Sequence, residues 1–275
     1  MTATCGPSNA NSSEIEPNGA LAEDSPPETN VTNATSTGVK PSGADLRGES
    51  LRSANLEYAD LKYADLTNAD LTYADLRGAN LKYANLTDAD LTDADLRRAN
   101  LEGANLEGAK LTTAYLADAN LTHANLTNAS IRSASFERAD LSFADLTNAD
   151  LSNVWFMEAD LTSATFVNAN LQFANFYAAS LELADLRGAN LLGAYLAEAN
   201  LTYTNLTQAD LRGVNKDAEG FTNTDLEGAN LGYADLQDAN LEGADLRRAN
   251  LEGANLEGAD LADANLEGVT GLEHE

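Results

Sequence analysis

His123 and His274 are the only imidazoles in this sequence, and Cys5 is its only thiol. Neither histidine has a cysteine or second histidine nearby at ligand spacing, which excludes the common zinc arrangements. Serine and threonine are plentiful, but none stands in a pattern that supplies a base, so a hydroxyl nucleophile is unsupported. The glycine-rich stretches that cradle nucleotide phosphates are missing, as is any zinc-deaminase pattern. The Gly-Gly-x-Gly-x-Asp unit of calcium-binding β-rolls is also missing. The sequence reads as non-enzymatic, with no cofactor and no metal.

What it has in excess is carboxylate. Asp and Glu number 44 against 16 Lys and Arg, for a formal net charge of −28. Such a surface disfavours direct nucleic-acid binding and speaks first to solubility. The single thiol gives no disulfide framework, and no run of apolar residues is long enough for a transmembrane helix, so no membrane association is expected. There is no basic residue before Lys40 and no apolar stretch ahead of it, so no secretory signal is expected and a cytoplasmic location is.

The elements that position these groups follow from one period. In "DLRGANLKYANLTDADLTDADLRRANLEGANLEGA", residues 75–109, Leu recurs every fifth position. Five residues of α-helix advance about 500°, which would scatter the leucines around the whole helix surface. A flat strand fails as well, because five is odd and successive leucines would alternate between faces. All the leucines face one core only if the chain turns a corner once per repeat. Ala stands two before nearly every Leu, as in Ala74/Leu76 and Ala79/Leu81, and a spacing of two is the local strand period. Each unit is therefore a short extended bridge followed by a turn, and glycines such as Gly103, Gly108, Gly253 and Gly258 fall where the turn wants them.

From Leu46 to Leu266 the slots ending in 1 or 6 hold Leu, Ile or Phe with one exception, Lys216. An ammonium among stacked leucines would be a buried unpaired charge. Two readings are open. In the preferred one Asn215, Lys216, Asp217, Ala218 and Glu219 loop out, so that Val214, Gly220 and Phe221 form one normal unit. In the other the slot stays in register with Lys216 bulged outward. Residues 1–42 hold all five prolines and few large apolar residues, a composition that cannot offset its ordering entropy, and are expected to be a disordered polar, acidic tail. The repeat domain is 43–270, followed by a short C-terminal tail at 271–275.

Units such as "ANLEG", "ADLRR", "ANLTD" and "ADLSF" resemble the tandem A(D/N)LXX units of pentapeptide repeat proteins. The resemblance implies an all-β, right-handed, quadrilateral parallel β-helix with 20 residues per coil, and the preferred loop leaves about 11 coils, a rod of about 53 Å. Phe136, Phe156 and Phe176 replace Leu at intervals of 20, so they are expected to stack in one core column that Phe221 joins beyond Leu196. Outward Asp pairs 20 apart, Asp45/Asp65, Asp70/Asp90, Asp75/Asp95 and Asp140/Asp160, are expected to stack and repel, and added salt to relieve that.

Function is then sought on the outside. Trp155 lies between inward Val154 and Phe156, so its indole is expected to face water, with Tyr115 and Tyr195 in the same slot two coils away. Met157 and Tyr177 flank it, and the set is a candidate surface for a protein partner whose identity the sequence does not give. The repeats carry a net −22, or about 0.4 charges per Å against about 0.6 per Å for duplex DNA. Some pentapeptide repeat proteins are acidic rods that mimic DNA and occupy the DNA-binding saddle of DNA gyrase, so a DNA-mimicking inhibitor or protector of gyrase is the alternative. No helical cap flanks the repeats, Leu272 being the one candidate plug, and an open terminal coil would permit end-to-end self-association.

Overall fold

A computed structural model describes residues 42–212 and 224–272. No helix of the described residues is long and apolar enough to cross a membrane. The repeats wind into four-sided coils in which each side contributes one parallel bridge to the coil above, 20 residues on, as in Asp45 to Asp65, Ser50 to Asp70, Asn55 to Asp75 and Asp60 to Asn80. The bonding repeats without change. The Leu46 N–H donates to the Asp65 carbonyl at 2.7 Å, and the Asp65 N–H returns a bond to the Ala44 carbonyl at 2.9 Å. At each corner the Ala N–H closes a four-residue turn on the preceding Leu carbonyl, as from Ala54 to Leu51 at 3.0 Å. The sequence places leucine and alanine alternately inward, and both are buried from Leu51 to Leu251.

The corner dictates the backbone. The third residue of each turn has positive φ, between 54° and 61° for 31 non-glycine residues, which is the conformation a type II turn requires there. Asn, Asp and Gly occupy many of these sites for that reason. Tyr, Phe, Leu and Ala occupy others, so the coil-to-coil bonding outweighs a local strain of about 1 kcal/mol per site. Ala178, exposed at φ 54° with no side-chain partner to lose, is the clean probe. Ala178→Gly is expected to raise stability by about 0.5 kcal/mol, strain relief offset in part by the freer unfolded chain, measured by thermal melting.

The register departs from expectation at one place. Bridges on either side of the gap are 20 residues apart, but Tyr195 pairs with Asp225, Asn200 with Asn230, Asn205 with Asp235 and Asp210 with Asn240. Those four steps are 30 residues long, so the register between Leu211 and Leu226 carries ten residues beyond the coil repeat, not five. The loop at Asn215, Lys216, Asp217, Ala218 and Glu219 lies outside the described residues, as does Phe221. The core position expected for Phe221 is taken by another residue: the Leu196 N–H donates to the Asp225 carbonyl, so Leu226 follows Leu196 in the column. Restoring one normal unit around Phe221 satisfies the local pattern, but the chain rejoins the ladder one unit later, at Thr224.

Thr224 is why the junction closes. It occupies the inward Ala slot and is fully buried, which would strand a hydroxyl. Its Oγ1 accepts from the Gly193 N–H at 3.1 Å and lies 2.9 and 3.1 Å from the Arg212 and Leu191 carbonyls. The ordinary ladder bond from Gly193 to the Arg212 carbonyl is stretched to 3.4 Å here. The hydroxyl thus replaces bonding that the departing chain weakens.

The phenylalanine column forms as expected over Phe136, Phe156 and Phe176, with neighbouring centroids 5.2 Å apart. Phe166, half a coil away, reaches in from the opposite side and meets Phe156 and Phe176 edge-on at 6.2 and 6.5 Å. The core therefore holds a four-ring cluster, not a single file.

Candidate protein-binding surface

Outward residues fall into rows along the rod, because positions 20 apart are stacked. Tyr115, Trp155 and Tyr195 share one side, with Ser135 and Asn175 bridging between them. All three are exposed, Trp155 at 51%. Tyr177 and Tyr195 stack at 5.9 Å with planes 14° apart, and Met157 beside them is half-buried. The expected set thus shares a face. Tyr177 and Tyr195 touch, whereas Tyr115 and Trp155 are separated by the coil that carries Ser135.

Beside Tyr115 the row Arg97, Ala117, Glu137 dips at its small residue and opens a depression of about 510 Å³. Arg77, Arg97, Arg98 and Arg138 line it together with Glu57, Asp118 and Glu137. Three of the guanidinium groups are engaged, Arg77 by Asp75 and Glu57, Arg97 by Asp95 and Arg138 by Asp118. The hydrogen bonds from Arg77 and Arg138 hold the Asp75 and Asp118 carboxyls below the usual range.

The fuller aromatic row lies at a corner. Tyr63, Tyr83, His123, Phe143, Leu183, Tyr203 and Tyr233 all occupy the third turn position of the same corner, and all are exposed. Tyr63 stacks on Tyr83 at 5.6 Å, His123 on Phe143 at 5.0 Å and Tyr203 on Tyr233 at 5.2 Å. Gly103 is where Tyr83 leans over the next coil; a Cβ there would lie 2.5 Å from the ring. The sequence signal for this row is the spacing of Tyr63, Tyr83, His123 and Phe143 by multiples of 20, which blends into the repeat itself. His123 is exposed, and among the described residues no group of three or more His, Cys, Asp or Glu side chains is placed to hold a metal ion.

The carboxylates divide into two roles. The stacked pairs Asp45/Asp65, Asp70/Asp90, Asp75/Asp95 and Asp140/Asp160 form as expected. Where Asp or Asn holds the slot the side chain also accepts the N–H two residues on, as from Thr72 to Asp70 at 3.0 Å, and Asn85 and Asn105 do the same for Thr87 and Glu107. Turn closure therefore asks for an Oδ1 at this slot and does not distinguish Asp from Asn. Where an arginine follows, the acid is anchored: Arg47 holds the Asp45 carboxyl at about 2.

Asp225 is the exception. Burial pushes its carboxyl up against the hydrogen bond from the Glu227 N–H, and the charges of Asp245 and Glu227 add to the rise. Protonation thus favours the folded state at acid pH, and that contribution is lost as pH rises through the folded value. Asp225→Asn keeps the turn acceptor and removes the charge. Its melting temperature is expected to exceed that of the parent at neutral pH and to match it well below the carboxylate range, read from a pH series of melts.

HetL from the cyanobacterium Nostoc sp. strain PCC 7120, a pentapeptide repeat protein involved in heterocyst differentiation regulation, is 37% identical over 89% of this chain and 98% of its own, with a TM-score of 0.41. Trypsin-treated QnrB1, a plasmid-mediated fluoroquinolone resistance protein, is 22% identical over 78% and 88%, with a TM-score of 0.39. The pentapeptide repeat protein Rfr23 from the cyanobacterium Cyanothece 51142 is 34% identical over 38% and 63%, with a TM-score of 0.19. A comparison with curated protein sequences finds no match. The pentapeptide repeats family model matches eight times, at 42–72, 74–112, 114–153, 144–182, 156–191, 179–215, 221–258 and 234–270, so the chain belongs to the pentapeptide repeat family.

Proposed function

We propose that the protein is a non-catalytic interaction rod that binds a protein partner along its aromatic rows. The supporting observation is the pair of exposed rows, one on the Trp155 side and one at the Tyr63 corner, both held on a rigid ladder. A fixed spacing of large amphipathic side chains costs little ordering entropy on binding and suits an extended partner. The test is capture from native lysate with two paired variants, Trp155→Ser/Tyr195→Ser on the side and Tyr83→Ser/Phe143→Ser at the corner. One pair is expected to lose a partner that the parent and the other pair retain. Identical capture by all three proteins would remove the reading.

The linear charge of the rod supports a second reading, mimicry of duplex DNA towards an enzyme such as DNA gyrase. A supercoiling assay separates the two. Inhibition that survives both aromatic variants favours mimicry, and no inhibition at excess protein removes it.

A further inference from the structure

The two ends of the ladder carry opposite halves of one bonding pattern. At the C-terminal end the N–H groups of Leu256, Leu261 and Leu266 and the carbonyls of Ala254, Ala259 and Ala264 make no backbone bond to a further coil among the described residues. At the N-terminal end the reverse set, the carbonyl and the N–H of Asp45, Ser50 and Asn55, makes no backbone bond to a preceding coil among the described residues. Everywhere between, these are the groups that meet: a Leu N–H with a bridging carbonyl above it, and an Ala carbonyl with a bridging N–H above it.

The apolar surface agrees. Leu256, Leu261, Ala259 and Ala264 are only partly buried, and Leu266 is 36% exposed, whereas their counterparts one coil below are fully covered. Leu272 does not plug this end, being 38% exposed. Gly271 stands where the repeat calls for Leu, at φ 82°, and a Cβ on it would clash with the Glu252 backbone, so no leucine covers this end there.

We propose that the rods assemble head to tail, with the N-terminal coil of a second copy stacking on the C-terminal coil of the first and continuing the ladder. The match is directional. Two C-terminal ends would bring Leu N–H groups against Leu N–H groups, so a symmetric tail-to-tail dimer leaves the same groups unpaired. A heterologous contact of this kind does not close on itself and yields open chains. The net charge of −28 on each copy opposes approach, and salt screens it, so assembly strengthens with ionic strength.

The experiment is sedimentation velocity of the full chain over a concentration series at low and high salt, with two variants that place a charge on one end each. Leu46→Arg blocks the N-terminal end and Leu261→Arg the C-terminal end; both lie in terminal coils, and unchanged melting of each variant confirms its fold. The parent is expected to give a growing series of species, more so at high salt. Each variant alone is expected to assemble about a hundredfold more weakly, because a charge is left in the contact. The two variants mixed are expected to form a heterodimer through their intact ends and to stop there. A parent that stays monomeric at high protein and high salt overturns the proposal, as does one that stops at a dimer. Variants that assemble as well as the parent, or that form nothing when mixed, overturn it too.

Discussion

Phe156→Ala is expected to cost about 3–5 kcal/mol, the largest effect of any single truncation in this core. Phe156 is the one ring of the four that contacts the other three, with centroids 5.2 Å from Phe136 and Phe176 and 6.2 Å from Phe166. Removing it leaves a void that its neighbours cannot fill, since each is fixed by a coil bonded above and below. In a solenoid the loss falls on one interface, so the two halves are expected to uncouple before either melts. Calorimetry should show a single transition for the parent and a split or broadened one for the variant. Phe156→Leu, which restores the repeat's own residue, is expected to cost far less and keep one transition. A single sharp transition for Phe156→Ala at the parental temperature would show that the cluster adds nothing to the leucine stack.

Thr224→Val is the second large effect, about 2 kcal/mol or more, although it preserves the shape of a fully buried side chain. The lost hydroxyl strands the Gly193 N–H, whose alternative bond to the Arg212 carbonyl is already 3.4 Å long. Thr204, also fully buried in an Ala slot, bonds only the Leu181 carbonyl at 2.8 Å, so Thr204→Val is the control and is expected to cost about half as much. Chemical denaturation of the two variants gives the comparison directly. Equal costs would mean that the junction is held by its leucines and not by this hydroxyl.

Most of the fold was legible because each repeat solves the same local problem. The five-residue period forces a turn, the Ala two before each Leu sets which way both point, and the 20-residue coil that the family resemblance implies is supported by the recurrence of phenylalanine. Legibility ended where two solutions were locally equivalent. Val214, Gly220 and Phe221 satisfy the unit pattern as well as Thr224, Asp225 and Leu226 do, and only the ladder to Tyr195 chooses between them. Phe166 is not legible for a related reason, since a 20-residue spacing reports stacking along a column and not contact across the core. On the outside, Trp155 drew notice as an irregularity, whereas the Tyr63 corner is itself periodic and blended into the repeat.

The ten-residue departure before Thr224 also governs rotational phase. Wound into the helix, ten extra residues would carry every later side chain half a turn around the axis. Tyr233 would then stand at the corner diagonally opposite Tyr203, and Leu226 would leave the Leu196 column. Instead both alignments are kept across the 30-residue step, as the 5.2 Å stack of Tyr203 on Tyr233 records. Length can therefore change at this splice in any amount without rotating one half of the rod against the other. Elsewhere only whole coils can be added or removed if the rows are to stay aligned.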